Sequence, residues 1–491
     1  MLLHPPKYGM CRVALHQHEW NPEFMRLLPS NILIYCPLLG ALTLTIGCAP
    51  SPFAFDHPES RPLLRELPRY RAPADPAEEL QSIGLATTSG DLSLRIALSA
   101  ALLQNPELRA AAWQPRLAEA QRLQAGLSPN PEVGIELENF AGSGGLSGAD
   151  ALETTLVLSQ LIELGGKRDL RVRVAEGAWS VSALDHEVER LDVLTETAAR
   201  YVRVLELQQR VEFAERARSL AEESRSVIER RVEAGDVSPI DEIKARLESE
   251  SARIAADRLK RELNAARREL SAMWDETEPT FDLVLGSLDE VMDVPSIQSL
   301  TDRVEAHPEV QRWIIESDRR RSMVDLERAR AVPDVTASLG VRYMNEVDDG
   351  ALVAGVSVPI PLFDRNQGGI LTARLSVTQA IDEGRASYRD LATRLVREHA
   401  RLTAAYHEAQ AIDSVLLPAA RDAFAATRRA YGEGKLPYLD VLDAQRTLFE
   451  TESQRLEVLA EYHSALVQVE SLISEPLNTE LDSFELKGDT K

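Results

Sequence analysis

The sequence predicts a mainly α-helical fold with a small β part. One unit is built twice over: helix, strand, strand, very long helix, turn, shorter helix. Three observations predict it. The first is composition. Of 491 residues 27% are charged and only 5% aromatic, and Ala, Leu, Arg and Glu dominate long stretches, as they do in long helices. The second is a repeat. Asn105-Pro106-Glu107 returns 202 positions later as His307-Pro308-Glu309, and Pro131-Glu132-Val133 returns at the same shift as Pro333-Asp334-Val335. Leu164 and Leu362 match 198 apart, and Gly235 to Asp241 matches Gly434 to Asp440, 199 apart. Four landmarks in one order mark an internal duplication. The third is strict alternation of apolar and polar residues, confined to four short segments.

The elements follow in order. Residues 1–24 hold three His, two adjacent Pro and no apolar block, and read as untranslated or unstructured. Met25 reads as the start, and residues 25–47 as a signal peptide: Arg26, an apolar block from Ile32 to Ile46, then Gly47. Leu44-Thr45-Ile46-Gly47-Cys48 resembles a bacterial lipobox, with Thr45 where Leu is preferred. The only cysteines are Cys11, Cys36 and Cys48, so cleavage leaves Cys48 as first residue and sole thiol, the expected lipid attachment site. Residues 48–90 read as a Pro-rich tether, 91–276 as the first repeat, 277–296 as a linker, 297–475 as the second repeat and 476–491 as a tail.

In the first repeat a helix is expected over 107–128, then strands at 132–139 and 154–160. Val133, Ile135 and Leu137 share one face; Glu132, Gly134, Glu136 and Glu138 share the other. In the second repeat strands are expected at 335–343 and 351–358, with Arg342 on the polar face. Each pair feeds a long helix. From Lys167 to Ala234 there is no Pro and one Gly, roughly 100 Å of helix. Val181, Val188, Thr195 and Val202 form a heptad seam with Leu184, Leu191, Ala198 and Leu205. The second long helix, Gly369 to Tyr431, is interrupted by Gly384 and Pro418. Tips are expected at 235–239 and 432–437.

Four strands cannot close on themselves, and open edges in lipid leave backbone groups unpaired, so a membrane sheet must be a closed barrel. Four strands per chain then imply three chains and a twelve-stranded outer-membrane barrel, joined to a periplasmic α-helical barrel. On this reading Glu132, Glu136, Glu138 and Arg342 line the aqueous bore. The net charge of −23 disfavours nucleic acid as a partner.

These residues resemble the outer membrane efflux protein family, the TolC-like channels, over residues 90 to 475. Ser159 through Arg168, with Glu163-Leu164-Gly165-Gly166-Lys167-Arg168, and Val358 through Gly368, with Pro361-Leu362-Phe363-Asp364-Arg365-Asn366-Gln367-Gly368, resemble the cobalt–zinc–cadmium resistance (CzcC-like) subfamily. Leu161 stands where that subfamily has Pro. The resemblance implies a passive conduit in a tripartite efflux system. Its partners would be a periplasmic adaptor (membrane fusion protein) and an inner-membrane pump of the resistance-nodulation-division (RND) type, and its cargo divalent heavy-metal cations.

Gly165, Gly166 and Gly368 fall where strand becomes helix, a bend glycine tolerates. Lys167, Arg168, Arg365 and Asn366 lie beside them, where basic groups can meet lipid head groups or neighbouring subunits. Leu439 through Ala444 resembles the segment with paired gate aspartates; Asp440 and Asp443 share a helix face, and Asp241 is the counterpart in the first repeat, with Lys244 in the other place. The turns at Gly235, Asp236, Gly434 and Lys435 are the expected adaptor contacts. No phosphate-binding Gly loop, nucleophile–base pair, metal-ligand motif or cofactor site is legible, so no enzyme and no cofactor is expected. His399 and His407 read as ordinary helical residues. The alternatives are a multidrug or type I secretion conduit, or a periplasmic coiled-coil adaptor or scaffold.

Overall fold

The computed structural model describes residues 62–65, 67–73 and 88–477. The expected signal peptide, Cys48 and all but the start of the expected tail lie outside the described residues. In chain order the elements are β1 Gly90–Leu92, α1 Leu94–Gln104, α2 Pro106–Ala111, α3 Trp113–Ala125, β2 Glu132–Glu138, β3 Glu153–Ile162, α4 Lys167–Glu233, α5 Pro239–Ser271, β4 Phe281–Val284, α6 Ile297–Thr301, α7 Pro308–Arg330, β5 Val335–Met344, β6 Asp349–Ser357, α8 Gln367–Ala411, α9 Leu417–Gly432 and α10 Tyr438–Ile473.

The helix expected over 107–128 is two helices broken at Ala112. Pro115 has no N–H for the carbonyl of Ala111, and the helix restarts there. The second long helix is handled differently. Before Pro418 the backbone widens into a π-turn, Ile412–Leu416, and α9 carries on from it. The heptad seam of α4 is buried apart from half-buried Val188, but so are neighbours off the seam such as Val193, Val204 and Leu207. The middle of α4 is packed on several sides, as an all-round apolar stretch requires.

What covers it was unreadable in the sequence. β1 pairs in parallel with β4, so a strand at the boundary of tether and first repeat meets one from the linker. Leu92, Phe281 and Val284 from this ribbon join Leu102, Tyr201, Trp274 and Tyr462 in one core. The Tyr201 hydroxyl donates to the Leu92 carbonyl at 2.8 Å. Residues 67–73 also pack here: Arg69 pairs with buried Glu187 at 2.6 Å, and Arg116 donates to the Ala72 carbonyl at 2.8 Å.

Above this belt α3 packs on α4, α4 on α7 and α7 on α8; below it α5 packs on α4, α4 on α10 and α10 on α9. A Cβ added at Gly177 of α4 would lie 2.8 Å from Arg319 Cβ and 3.3 Å from Arg319 Cα. Gly177→Leu is therefore expected to destabilise by about 2 kcal/mol: overpacking of ~3 kcal/mol outweighs the ~1 kcal/mol helix gain on removing Gly. A lower midpoint for heat-induced loss of helical signal checks this; an unchanged midpoint would mean α4 and α7 do not meet closely.

β2, β3, β5 and β6 form one antiparallel sheet in that order. Ile135, Leu156, Val341 and Leu352 stand in one cross-strand row, and Glu136, Thr155, Arg342 and Ala351 in the next. The first row faces outward into open space: Ile135 is 69% exposed and Leu352 79%. Among the described residues β2 and β6 each pair on one side only.

Candidate functional site

The junction between sheet and helices is built by backbone geometry and buried ions. Gly165 and Gly166 both have positive φ, and Gly166 caps α4. In the second repeat the expected glycine is not the bend. Gly368 lies inside the first turn of α8, and Asn366, with φ +56°, takes the left-handed position. Asn accepts that conformation because its short polar side chain bonds locally. Here Asn366 Nδ2 donates to the Glu327 carbonyl at 2.8 Å and to its carboxylate at 2.6 Å.

Lys167 also departs from expectation. It is turned into the protomer, not toward head groups: Nζ donates to the Val332 carbonyl at 2.6 Å and to Asp334 at 2.7 Å. The amide of Leu164 donates to the same carboxylate oxygen at 2.9 Å. Burial works to raise the Asp334 carboxyl, but the Lys167 and Leu164 hydrogen bonds outweigh it and hold it below the usual range. One turn on, Arg171 forks onto Glu163 and donates to the Ala125 carbonyl at 3.2 Å, closing the end of α3. The Arg171 hydrogen bond holds Glu163 below its ordinary value. Arg171 and Asp334 were not singled out in the sequence; the signal was the spacing of Lys167 and Arg171, which puts both on one helix face. Arg168 and Arg365 are exposed, and neither forms an ion pair among the described residues. Arg365 instead donates to the Pro361 carbonyl at 3.2 Å.

On the polar face of the sheet Glu132, Glu136 and Glu138 are exposed. Arg342 pairs with Glu138 and Glu153, each at 2.8 Å. Glu132 and Glu136 form no ion pair among the described residues.

The two helical tips are built alike. Asp236 N donates to Arg231 O at 2.8 Å and Gly235 N to Val232 O at 2.9 Å; Lys435 N donates to Ala430 O at 2.9 Å and Gly434 N to Tyr431 O at 3.0 Å. Both are Schellman closures, with Gly235 and Gly434 at φ +76° and +71° supplying the left-handed residue. The tips pack on each other through Ile228, Ala245, Tyr438 and Val441. Arg231 lies 5.1 Å over the Tyr431 ring, which is 5.6 Å from Tyr438. Burial pushes the Tyr438 hydroxyl up to about 12. Asp236 is exposed, and so is Lys435, which pairs with Glu433 at 2.6 Å. Asp440 and Asp443 lie in the first two turns of α10. Asp440 is half-buried and Asp443 exposed, and neither forms an ion pair among the described residues. Asp241 sits 3.7 Å from Lys244.

Among the described residues no helix is long and apolar enough to cross a membrane, and no group of three or more His, Cys, Asp or Glu is placed to hold a metal ion. The profile of the family described as outer membrane efflux protein matches residues 97–276 and 302–475. The chain belongs to that family. This outer membrane efflux protein is 34% identical over 385 residues to the cobalt-zinc-cadmium resistance protein CzcC of Cupriavidus metallidurans, covering 78% of the chain and 90% of CzcC. It is 27% identical over 285 residues to the nickel and cobalt resistance protein CnrC of the same organism, covering 58% of the chain and 67% of CnrC. Its fold is that of solved outer-membrane channels. A structure of CusC superposes with a TM-score of 0.66 at 19% identity, over 83% of this chain and 99% of that one. VceC of Vibrio cholerae superposes with 0.63 at 16% identity, over 78% and 97%. The efflux protein is accordingly an outer-membrane channel component and not an enzyme.

Proposed function

We propose that this protein is the outer-membrane exit duct of a tripartite RND-type efflux system for divalent heavy-metal cations. It works as a homotrimer anchored in outer-membrane lipid through Cys48 and joined to an adaptor at the tips around Gly235, Asp236, Gly434 and Lys435. The observation that carries the reading is the sheet. An outward apolar face with two unpaired edges is stable in lipid only if other copies complete it. Three copies make twelve strands, an even number that suits a barrel with a polar bore. Both free sides carry apolar side chains: the end of α3 and the turn after it present exposed Leu123 and Leu127; the segment from β6 to α8 presents Ile360, Leu362 and Phe363, the last 90% exposed. Such patches are the usual mark of an interface. Asp440, Asp443 and Asp241, at the end far from the sheet, form the gate on this reading.

The metal cargo rests on the resemblance to the cobalt-zinc-cadmium and nickel and cobalt resistance proteins. Deleting the gene should make cells hypersensitive to cobalt, zinc or cadmium salts, with growth restored by the gene in trans. Sensitivity to drugs alone would move the cargo to the multidrug reading, and loss of an exported protein alone to the secretion reading.

A further inference from the structure

We propose that Arg342 is a selectivity residue of the bore: its guanidinium fills the place between Glu138 and Glu153 that an exported divalent cation would otherwise take, so that cations pass the mouth without lodging there. The inference rests on the reading of the polar sheet face as the lining of the bore.

Glu138 and Glu153 stand directly opposite each other on β2 and β3. Two like charges so placed repel unless a cation lies between them. The structure puts one there. Arg342 Nη2 lies 2.8 Å from Glu138 Oε2 and Nη1 2.8 Å from Glu153 Oε2. Its Nε donates to Thr155 Oγ1 at 2.9 Å, and Thr155 is 1% exposed. Asn139 Nδ2 donates to the remaining Glu153 oxygen at 2.9 Å. The fork thus ties three strands together: both terminal nitrogens of the guanidinium go to this one pair of carboxylates, and Nε goes to the Thr155 hydroxyl beside them. A planar, permanently charged fork suits two carboxylates better than an ammonium does.

Without the fork, two facing carboxylates beside a hydroxyl and an amide make an oxygen-rich pocket suited to a divalent cation. Conduction needs binding weak enough to let the ion leave. The unpaired acids, Glu132 and Glu136, are on the same strand four residues apart, roughly 13 Å, too far to chelate one ion together. They draw cations in; the paired acids, held by Arg342, do not retain them.

The test is conductance of the purified full-length protein in planar bilayers, with zinc ion added on the side of the β2–β3 loop. For Arg342→Gln the zinc concentration that halves the current should fall about tenfold or more below that of the unaltered protein, with recovery on adding a chelator. Adding Glu138→Gln and Glu153→Gln to that variant should abolish the block. Arg342→Lys keeps a cation at the site and should stay as insensitive to zinc as the unaltered protein; zinc block of the Lys variant at the lower concentration would overturn the proposal. So would an Arg342→Gln protein that assembles and conducts yet shows unchanged zinc sensitivity. Should the Gln variant not assemble, the Lys variant decides alone. An unaltered protein that assembles but carries no current would instead refute the bore.

Discussion

Leu352→Arg is expected to abolish stable assembly in the membrane, whereas Ala351→Arg, one residue away, is expected to be tolerated. The two positions lie on opposite faces of β6. Leu352 stands in the row with Ile135, Leu156 and Val341, and Ala351 in the row with Glu136, Thr155 and Arg342. An arginine on the lipid face of a barrel costs about 2–4 kcal/mol near the bilayer midplane, and three copies would pay it together. On the bore side the same charge meets water; its cross-strand neighbour is Arg342, and that like-charge pair costs only about 0.2–1 kcal/mol, less than the lipid-face penalty. The measurement is the mass of detergent-extracted protein, expected at three copies for the unaltered chain and for Ala351→Arg. A stable trimer with Leu352→Arg, or equal loss in both variants, would show that the apolar row does not touch acyl chains.

Changing Asp440 and Asp443 together to Asn is expected to lower cation over anion selectivity about tenfold. Three copies would place six carboxylates at the tip. Each contributes roughly 0.5 kcal/mol at ~8 Å in water, about 3 kcal/mol unscreened for the six, and salt reduces this to on the order of 1–1.5 kcal/mol. Neither aspartate forms an ion pair among the described residues, so its charge is available to the bore. Asp241→Asn is the control. Asp241 already has Lys244 within 3.7 Å, and its loss should change selectivity less than about twofold. Reversal potentials across a KCl gradient give the answer. An unchanged potential in the double variant would remove the pair from the gate.

Much of the architecture was legible because its signals are long or strictly periodic. A stretch of 67 residues without proline became one helix, and period-two alternation located all four sheet strands within one or two residues. The tip turns were legible because a left-handed closure favours glycine. Less was visible where a residue's partner is distant in sequence. β1 and β4 have three and four residues, too few to alternate, and they pair across more than 190 positions. Lys167 looked like a surface charge until Asp334 and Val332 came beside it. Asn366 was placed at the junction but the bend itself was given to Gly368, because both tolerate unusual dihedrals and only the backbone decides between them. Pro115 was audible in the sequence but its effect on helix 107–128 was not read.

The bare margins of β2 and β6 also bear on biogenesis. A protomer that has folded its helices but met no sister chain carries two rows of unsatisfied amides and carbonyls, templates for indiscriminate strand addition. Maturation is then a race between productive encounter and aggregation. On the trimer proposed above, its yield should rise steeply with local chain density, since the native state would be a multi-chain species. An anchor that confines newborn chains to a surface shortens that race by raising the density at which they meet.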